Sequence, residues 1–374
     1  MPDFRAAVLE HCTTERPFSD SAPLAMRMIH ADGPKAGEVL VRIRAASLCR
    51  SDLSVVTGVR AWPMPIVPGH EASGIVEAVG PEVTGFAKGD QVVLVYQPFC
   101  GTCPCCVAGD LHLCTPGLAA NRAGALLSGG PRLSDGGHVL HHHMGLSAFA
   151  EMAVVSQHSL VKVPDDVPAE IAALFGCAVM CGAGSVLNTA ATRPGESIAI
   201  VGVGGVGASA ILGAAMAGAG RIIAVDTDPL KRDMAQHLGA TDVVAGGADA
   251  AAEILELTNG GTDIALEAAG QLAAFETAFA ATRRGGRVVT VGLVSPATPF
   301  SLDIAGLVTA AKSVTGSYVG SCNPPRDIAR FLEAWREGRL PLERLITHRL
   351  PLDQVNTALE RMAASAALRQ IMVP

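Results

Sequence analysis

Two hydrophobic regimes follow one another along the chain. Up to about residue 178, apolar side chains recur at every second position in short runs broken by Gly and Pro. Val39, Val41 and Ile43 alternate in one run, and Gly74–Gly80, Gln91–Val95, Met152–Val155 and Leu160–Val163 form others. Successive side chains of a strand point to opposite faces, so a period of two predicts strands with one buried face. Many such strands between turns predict a distorted β-barrel with excursions. The excursion from Cys100 to about Gly145 exceeds an ordinary loop. Its second part, Ala119–Val139, is rich in Gly and Ser and is expected on the surface.

From 179 to 319 the pattern changes to strand–helix alternation. Ser197–Val201, Arg221–Val225, Asp242–Val244, Asp263–Glu267, Arg287–Val291 and Val314–Ser317 read as strands. Val206–Ala217 and Pro229–Leu238 read as helices, with another between the fourth and fifth strands. Six strands with helical crossovers predict a parallel, doubly wound sheet. Residues 320–374 return to short elements ending in Arg369–Val373. The expected division is thus 1–178, 179–319 and a C-terminal segment, 320–374, rejoining the first domain.

Composition narrows the function classes. With 49% hydrophobic and 17% charged residues, the chain can fill large cores. A net charge of −7 and no basic tract argue against nucleic acid or an anionic membrane surface as partner. The apolar stretch Ile198–Ala219 carries turn glycines and reads as strand, turn and helix, not as a membrane span. Met1–Phe18 lacks an apolar signal core, so a cytoplasmic location is expected. Ten cysteines in a reducing compartment favour metal ligation over disulfides.

Two cysteine-containing sets stand out. Cys100, Cys103, Cys106 and Cys114 follow C-x2-C-x2-C-x7-C within a lobe of about 98–116, a closed four-thiolate set suited to structural zinc. Cys105 is a spare thiol; a spacing of three favours Cys106. Cys49, His70 and Cys177 are dispersed and form a candidate open set. Asp52 follows Cys49 closely and could hold the free ring N–H of His70. Gly202, Gly204, Gly205, Val206 and Gly207 belong to a G-x-G-x-x-G run between a strand and a helix, the context of a dinucleotide site. Asp226 ends the next strand, where a carboxylate accepts ribose hydroxyls and opposes a 2′-phosphate, favouring NAD over NADP. Lys231 is placed to reach the adenosine ribose.

With Cys49-Arg50-Ser51-Asp52, Gly69-His70-Glu71, the four-cysteine lobe, Phe175-Gly176-Cys177, Gly202–Gly207 and Asp226 in order, the chain resembles the zinc-containing alcohol dehydrogenases of the medium-chain dehydrogenase/reductase superfamily over essentially its full length. The resemblance implies an α/β protein: a GroES-like β-barrel catalytic domain joined to a Rossmann domain with a doubly wound parallel sheet. It implies catalytic zinc on Cys49, His70 and Cys177, structural zinc on the four-cysteine set, and Glu71 behind the catalytic metal. Ser51 takes the alcohol proton. Arg50 and Arg369 meet the pyrophosphate, and Val206 and Cys181 pack at the nicotinamide. Arg60, Trp62, Tyr96, Ala119, His143, Met144, Leu293 and Tyr318 line the substrate pocket. Its aromatic side chains suit an aryl, allylic or medium-chain primary alcohol, converted reversibly to its aldehyde with NAD. The same chemistry on a glutathione adduct of formaldehyde, a polyol or a secondary alcohol is the alternative. The long excursion is similar to that of a branch that is usually dimeric, so a homodimer is expected. Ser54 stands where many relatives carry a His that ends a proton relay, so here the relay is expected to end in water.

Overall fold

The structure, a computed structural model, describes residues 3–294 and 298–374. The chain divides into two compact units. One comprises 1–177, 323–329 and 346–374, the other 178–322 and 330–345. Residues 330–345, within the segment expected to rejoin the first domain, cluster with the second unit.

The first unit is built from β-strands, as the period-two pattern predicts. Phe4–Leu9, Leu24–Ala31, Leu133–Asp135, His138–His142 and Ile66–Val67 close a five-stranded barrel. A second sheet orders Leu160–Lys162, Gln91–Leu94, Ala72–Val79, Glu38–Leu48, Arg369–Val373 and Ile346–Pro351, with Met152–Ser156 paired to Glu38–Leu48. The expectation of a surface location for Ala119–Val139 is corrected here. Leu133–Asp135 and His138–His142 complete the barrel wall, and Leu126, Leu133 and Leu140 pack in its core with Val8, Ile29 and Val67. Burying each such side chain contributes about 1.5–3 kcal/mol, enough to override the polar neighbours. Arg132 is buried too, its charge matched by the fully buried Glu38 at 2.6 Å. The exposed residues of the segment include its turn glycines Gly129, Gly130, Gly136 and Gly137, together with Arg122, Ser128 and His138.

The second unit has the doubly wound sheet. Its six parallel strands lie in the order Asp242–Ala245, Arg221–Asp226, Ser197–Val201, Thr262–Glu267, Thr282–Thr290 and Ser313–Gly316. Chain order reverses beside Ser197–Val201, the switch point where open α/β sheets bind ligands. Helices Gly205–Met216, Pro229–Leu238, Ala250–Thr258 and Leu272–Ala281 connect the strands. Residues 198–219 are thus strand, turn and helix. A different stretch, Ala169–Thr189, is helical, long and apolar enough to cross a membrane by length and composition, and most of it is buried inside the protein.

Candidate metal centres and nucleotide cleft

Cys49 ends the strand Glu38–Leu48 and caps the helix Arg50–Val56. Its backbone N–H donates to Asp52 Oδ2 at 2.9 Å, closing the first turn. That turn aims the Cys49 thiol and the Asp52 carboxylate at one place. His70 arrives from a tight loop at Gly69, whose φ is +94°. A Cβ at Gly69 would stand 2.5 Å from the Phe149 backbone nitrogen, so only glycine permits the approach. Cys177 lies in a π-helical turn, Phe175–Val179, a distortion often found at functional sites. The ligand atoms of Cys49, His70 and Cys177 lie within 4.8 Å of one another, and all three residues are buried.

His70 Nδ1 donates to Asp52 Oδ1 at 2.9 Å. This leaves Nε2 as the lone-pair nitrogen, as a metal ligand needs. Burial works to raise the Asp52 pKa, but His70 and His143 outweigh it and hold the carboxyl well below its usual range. Hydrogen bonding from Cys177, together with His70 and against burial, holds the Cys49 thiol well below its ordinary value. Two soft sulfurs, one poised as a thiolate, and one oriented imidazole fit a zinc ion with a position left over. Behind them Glu71, fully buried, stands 3.2 Å from Arg369, which donates to the Leu48 carbonyl at 3.3 Å. Arg369, only 2% exposed, thus faces Glu71, whereas Arg50 is exposed.

The four-cysteine set also converges, its sulfurs within 4.8 Å, and it includes Cys106, not Cys105. Backbone N–H groups point at sulfur: Cys103 to Cys100 at 3.2 Å, Cys100 to Cys114 at 3.2 Å and Gly117 to Cys114 at 3.3 Å. Burial opposes ionisation of Cys100, but N–H donors bring it down to about 6. Burial pushes Cys106 up to about 12 and raises Cys114 as well. Four crowded sulfurs resist becoming thiolates together unless a cation joins them, which is the fit a structural zinc satisfies.

In the second unit, a cleft of about 720 Å3 opens beside the switch point, lined by Gly202, Asp226, Thr227, Gly246, Ala269 and Gln271 among others. A Cβ at Gly207 would sit 1.8 Å from the Gly202 carbonyl oxygen, whereas Gly204 faces open space. The glycine turn therefore packs tightly on one side and leaves the N-terminus of helix Gly205–Met216 open on the other. Asp226 accepts from Val203 N at 2.7 Å and Asp228 N at 2.9 Å. Lys231 is half-buried on the helix after Asp226. Cys181 is buried in the helix Met180–Gly184, and Val206 is half-buried.

The expected pocket residues distribute over both units. In the first, the Tyr96 ring meets His70 edge-on at 5.7 Å, and His143 meets both Trp62 (5.0 Å) and His70 (5.1 Å). Met144 follows His143 with φ +51°, and Arg60 is half-buried. In the second, Tyr318 is half-buried and Leu293 is 59% exposed. Ser51 is half-buried in the helix beside Cys49, and Ser54 turns its hydroxyl onto the Arg50 carbonyl at 3.0 Å. Sequence reasoning missed the approach of His143 to Asp52, Nδ1 to Oδ1 at 3.2 Å, and the Glu71–Arg369 pair. A carboxylate beside a ligand histidine needs a buried cation, a signal that could have found the second.

Residues 35–165 match the family model described as alcohol dehydrogenase GroES-like domain, and 205–336 the one described as zinc-binding dehydrogenase. The chain is 38% identical to an NDMA-dependent alcohol dehydrogenase of Amycolatopsis methanolica, covering 95% of this chain and 96% of that protein. It is also 38% identical to a geraniol dehydrogenase of Castellaniella defragrans, over 94% of each. Among solved structures, benzyl alcohol dehydrogenase of Acinetobacter calcoaceticus superposes with a TM-score of 0.92 at 32% identity, over 100% of this chain and 99% of that one.

Proposed function

The chain belongs to the zinc-containing alcohol dehydrogenases of the medium-chain dehydrogenase/reductase superfamily, and we propose that it oxidises an aryl, allylic or medium-chain primary alcohol reversibly with NAD. The observation that carries this reading is the open Cys49–His70–Cys177 set, with Asp52 fixing the His70 tautomer. Zinc there supplies a Lewis acid for the alcohol oxygen, and NAD supplies the hydride acceptor. The chain's own residues do the rest. Ser51 Oγ accepts the alcohol proton as it gives up its own, and the relay ends in water because Ser54 stands where many relatives carry a His. Asp226 receives the ribose hydroxyls, and the open N-terminus of helix Gly205–Met216 receives the pyrophosphate. Arg369 pairs with Glu71 behind the metal ligands, and its remaining N–H groups are proposed to meet the pyrophosphate. Tyr96, Trp62, His143 and Met144 offer an apolar, aromatic wall that favours a planar substrate. The names of the geraniol and benzyl alcohol relatives support the allylic and aryl class over the glutathione-adduct and polyol alternatives. Two zinc ions per chain, a homodimer and a cytoplasmic location complete the proposal.

The test is NADH formation with benzyl alcohol, geraniol, a medium-chain alkanol, a polyol, and formaldehyde with glutathione, on wild type and Ser51→Ala. Benzyl alcohol or geraniol should give the highest kcat/KM. Ser51→Ala should lose about 10²–10⁴-fold in kcat, the usual worth of positioned proton transfer. A preference for the glutathione adduct would overturn the substrate class, and wild-type turnover by Ser51→Ala would overturn the proton route.

A further inference from the structure

His143 is fully buried, yet neither of its ring nitrogens makes an aligned hydrogen bond with the described residues. Its ring lies against the Asp52 carboxylate, with Nδ1 3.2 Å from Oδ1. Asp52 Oδ1 already accepts from His70 Nδ1 at 2.9 Å and from Gly69 N at 3.2 Å. Two lone pairs facing each other at that separation would repel, so Nδ1 of His143 carries the proton. The ring is wedged edge-on between His70 and Trp62, which leaves it little freedom to turn away. A bare imidazole in an apolar wall is costly to bury. A phenyl ring would pack in the same space without that cost. The position of the imidazole makes sense when it acts on Asp52.

We propose that His143 is a positioning residue for His70: its Nδ1–H, 3.2 Å from the Asp52 Oδ1 that His70 bonds, attracts that oxygen without a fully aligned bond, fixing the carboxylate and, through it, the direction of His70 Nε2. The proposal rests on the reading that Cys49, His70 and Cys177 hold a metal. It is independent of which alcohol is oxidised. Asp52 Oδ2 is tied to the Cys49 backbone N–H, so the carboxylate links two of the three ligands to His143. Without His143, Oδ1 loses one donor and the His70 ring gains freedom to rotate. Losing such a partner of a metal ligand typically lowers metal affinity roughly 10- to 100-fold.

Two isosteric substitutions isolate the effect. His143→Asn places its amide nitrogen near the position of Nδ1 and can still donate to Asp52. His143→Gln places it near Nε2 and cannot. The cobalt-substituted proteins are compared by d–d absorption spectrum and by metal retention against a chelator, with Cys177→Ala as reference. The expected order is wild type close to His143→Asn, with His143→Gln releasing one metal equivalent roughly 10- to 100-fold more readily and showing a shifted spectrum. Equal behaviour of the Asn and Gln variants overturns the proposal. So does loss of a third metal equivalent in both, which would make Asp52, His70 and His143 a cation site of their own. If Cys177→Ala keeps every metal equivalent and the spectrum, the ligand reading itself fails, a result distinct from the other two.

Discussion

At the residue scale, Asp226 works in two directions at once. Its carboxylate holds the glycine turn through Val203 N and its own following turn through Asp228 N, and its remaining lone pairs face the cleft that Gly202 and Thr227 also line. A charged acceptor for a sugar hydroxyl is worth about 1.5–3 kcal/mol, roughly 10- to 150-fold in affinity. Asp226→Ala should therefore weaken NAD binding by that order and narrow the gap to NADP, as titration calorimetry with both cofactors will read. Equal kcat/KM for the two cofactors in the wild type would sink the assignment. Arg369 illustrates a residue whose position in the chain says little about its contacts. The resemblance directs it to the pyrophosphate, and the strand Arg369–Val373 also brings it, buried, beside Glu71. A pairing between residues almost 300 positions apart leaves no periodic trace in a single sequence.

At the scale of elements, the two cysteine sets differ in what their loss should damage. The four-cysteine lobe has little apolar core of its own, and only Cys106, His112 and Cys114 are buried within its short helices. Metal binding is then folding energy. Cys106→Ser should cost one metal equivalent and several degrees of Tm, whereas Cys177→Ser should cost turnover with a smaller change in Tm. A Cys106→Ser protein as stable as wild type would show that the lobe holds itself. The excursion that follows is pinned by Glu38, which accepts from Arg132 at 2.6 and 3.0 Å, from Ser128, and from the Lys35 backbone N–H. The Arg132 N–H in turn donates to His142 Nε2 at 3.1 Å. Burial, aided by the Arg132 charge, pushes His142 down to about 3. An unfolded histidine binds its proton near 6.5, so between roughly pH 6.5 and 3 the unfolded chain holds one proton more than the folded chain. The contribution is present above 6.5 and is lost as pH falls, at up to ~1.4 kcal/mol per pH unit. His142→Gln keeps an acceptor for Arg132 and removes the titration. Its urea midpoint should therefore fall less between pH 7 and pH 5 than that of wild type, and parallel slopes would contradict a buried neutral His142. The Gly and Ser content of this stretch hid its place in the barrel. The informative signal was the spacing of Leu126, Leu133 and Leu140, three apolar residues that had to be buried somewhere.

At the scale of the whole molecule, the parallel doubly wound sheet and the convergence of the two cysteine sets were legible because each rests on a local rule: strand–helix alternation, glycine at a tight turn, cysteines at fixed spacing. What surrounds the ligands was not, because His143, Arg132 and Arg369 act through distant partners. The proposed homodimer rests on what the second unit leaves uncovered among the described residues. The strand Ser313–Gly316 is the outer edge of the six-stranded sheet, and every residue in it is exposed. The neighbouring helix Ile304–Ala310 buries none of its residues, although Ile304 is 60% and Val308 71% exposed. Natural edges are usually charged, bulged or covered. Val314 on this edge and Ile304 and Val308 on the helix leave apolar surface open to a partner. In the proposed homodimer a second copy related by a two-fold axis would cover it, pairing the two edges antiparallel. Sedimentation equilibrium should then give twice the 38.2 kDa of the chain. Val308→Asp combined with Val314→Lys should shift it toward the monomer, with the metal content kept, since neither residue touches a ligand set. A wild-type monomer at micromolar concentration, or a double variant that stays dimeric, would place the contact elsewhere or abolish it.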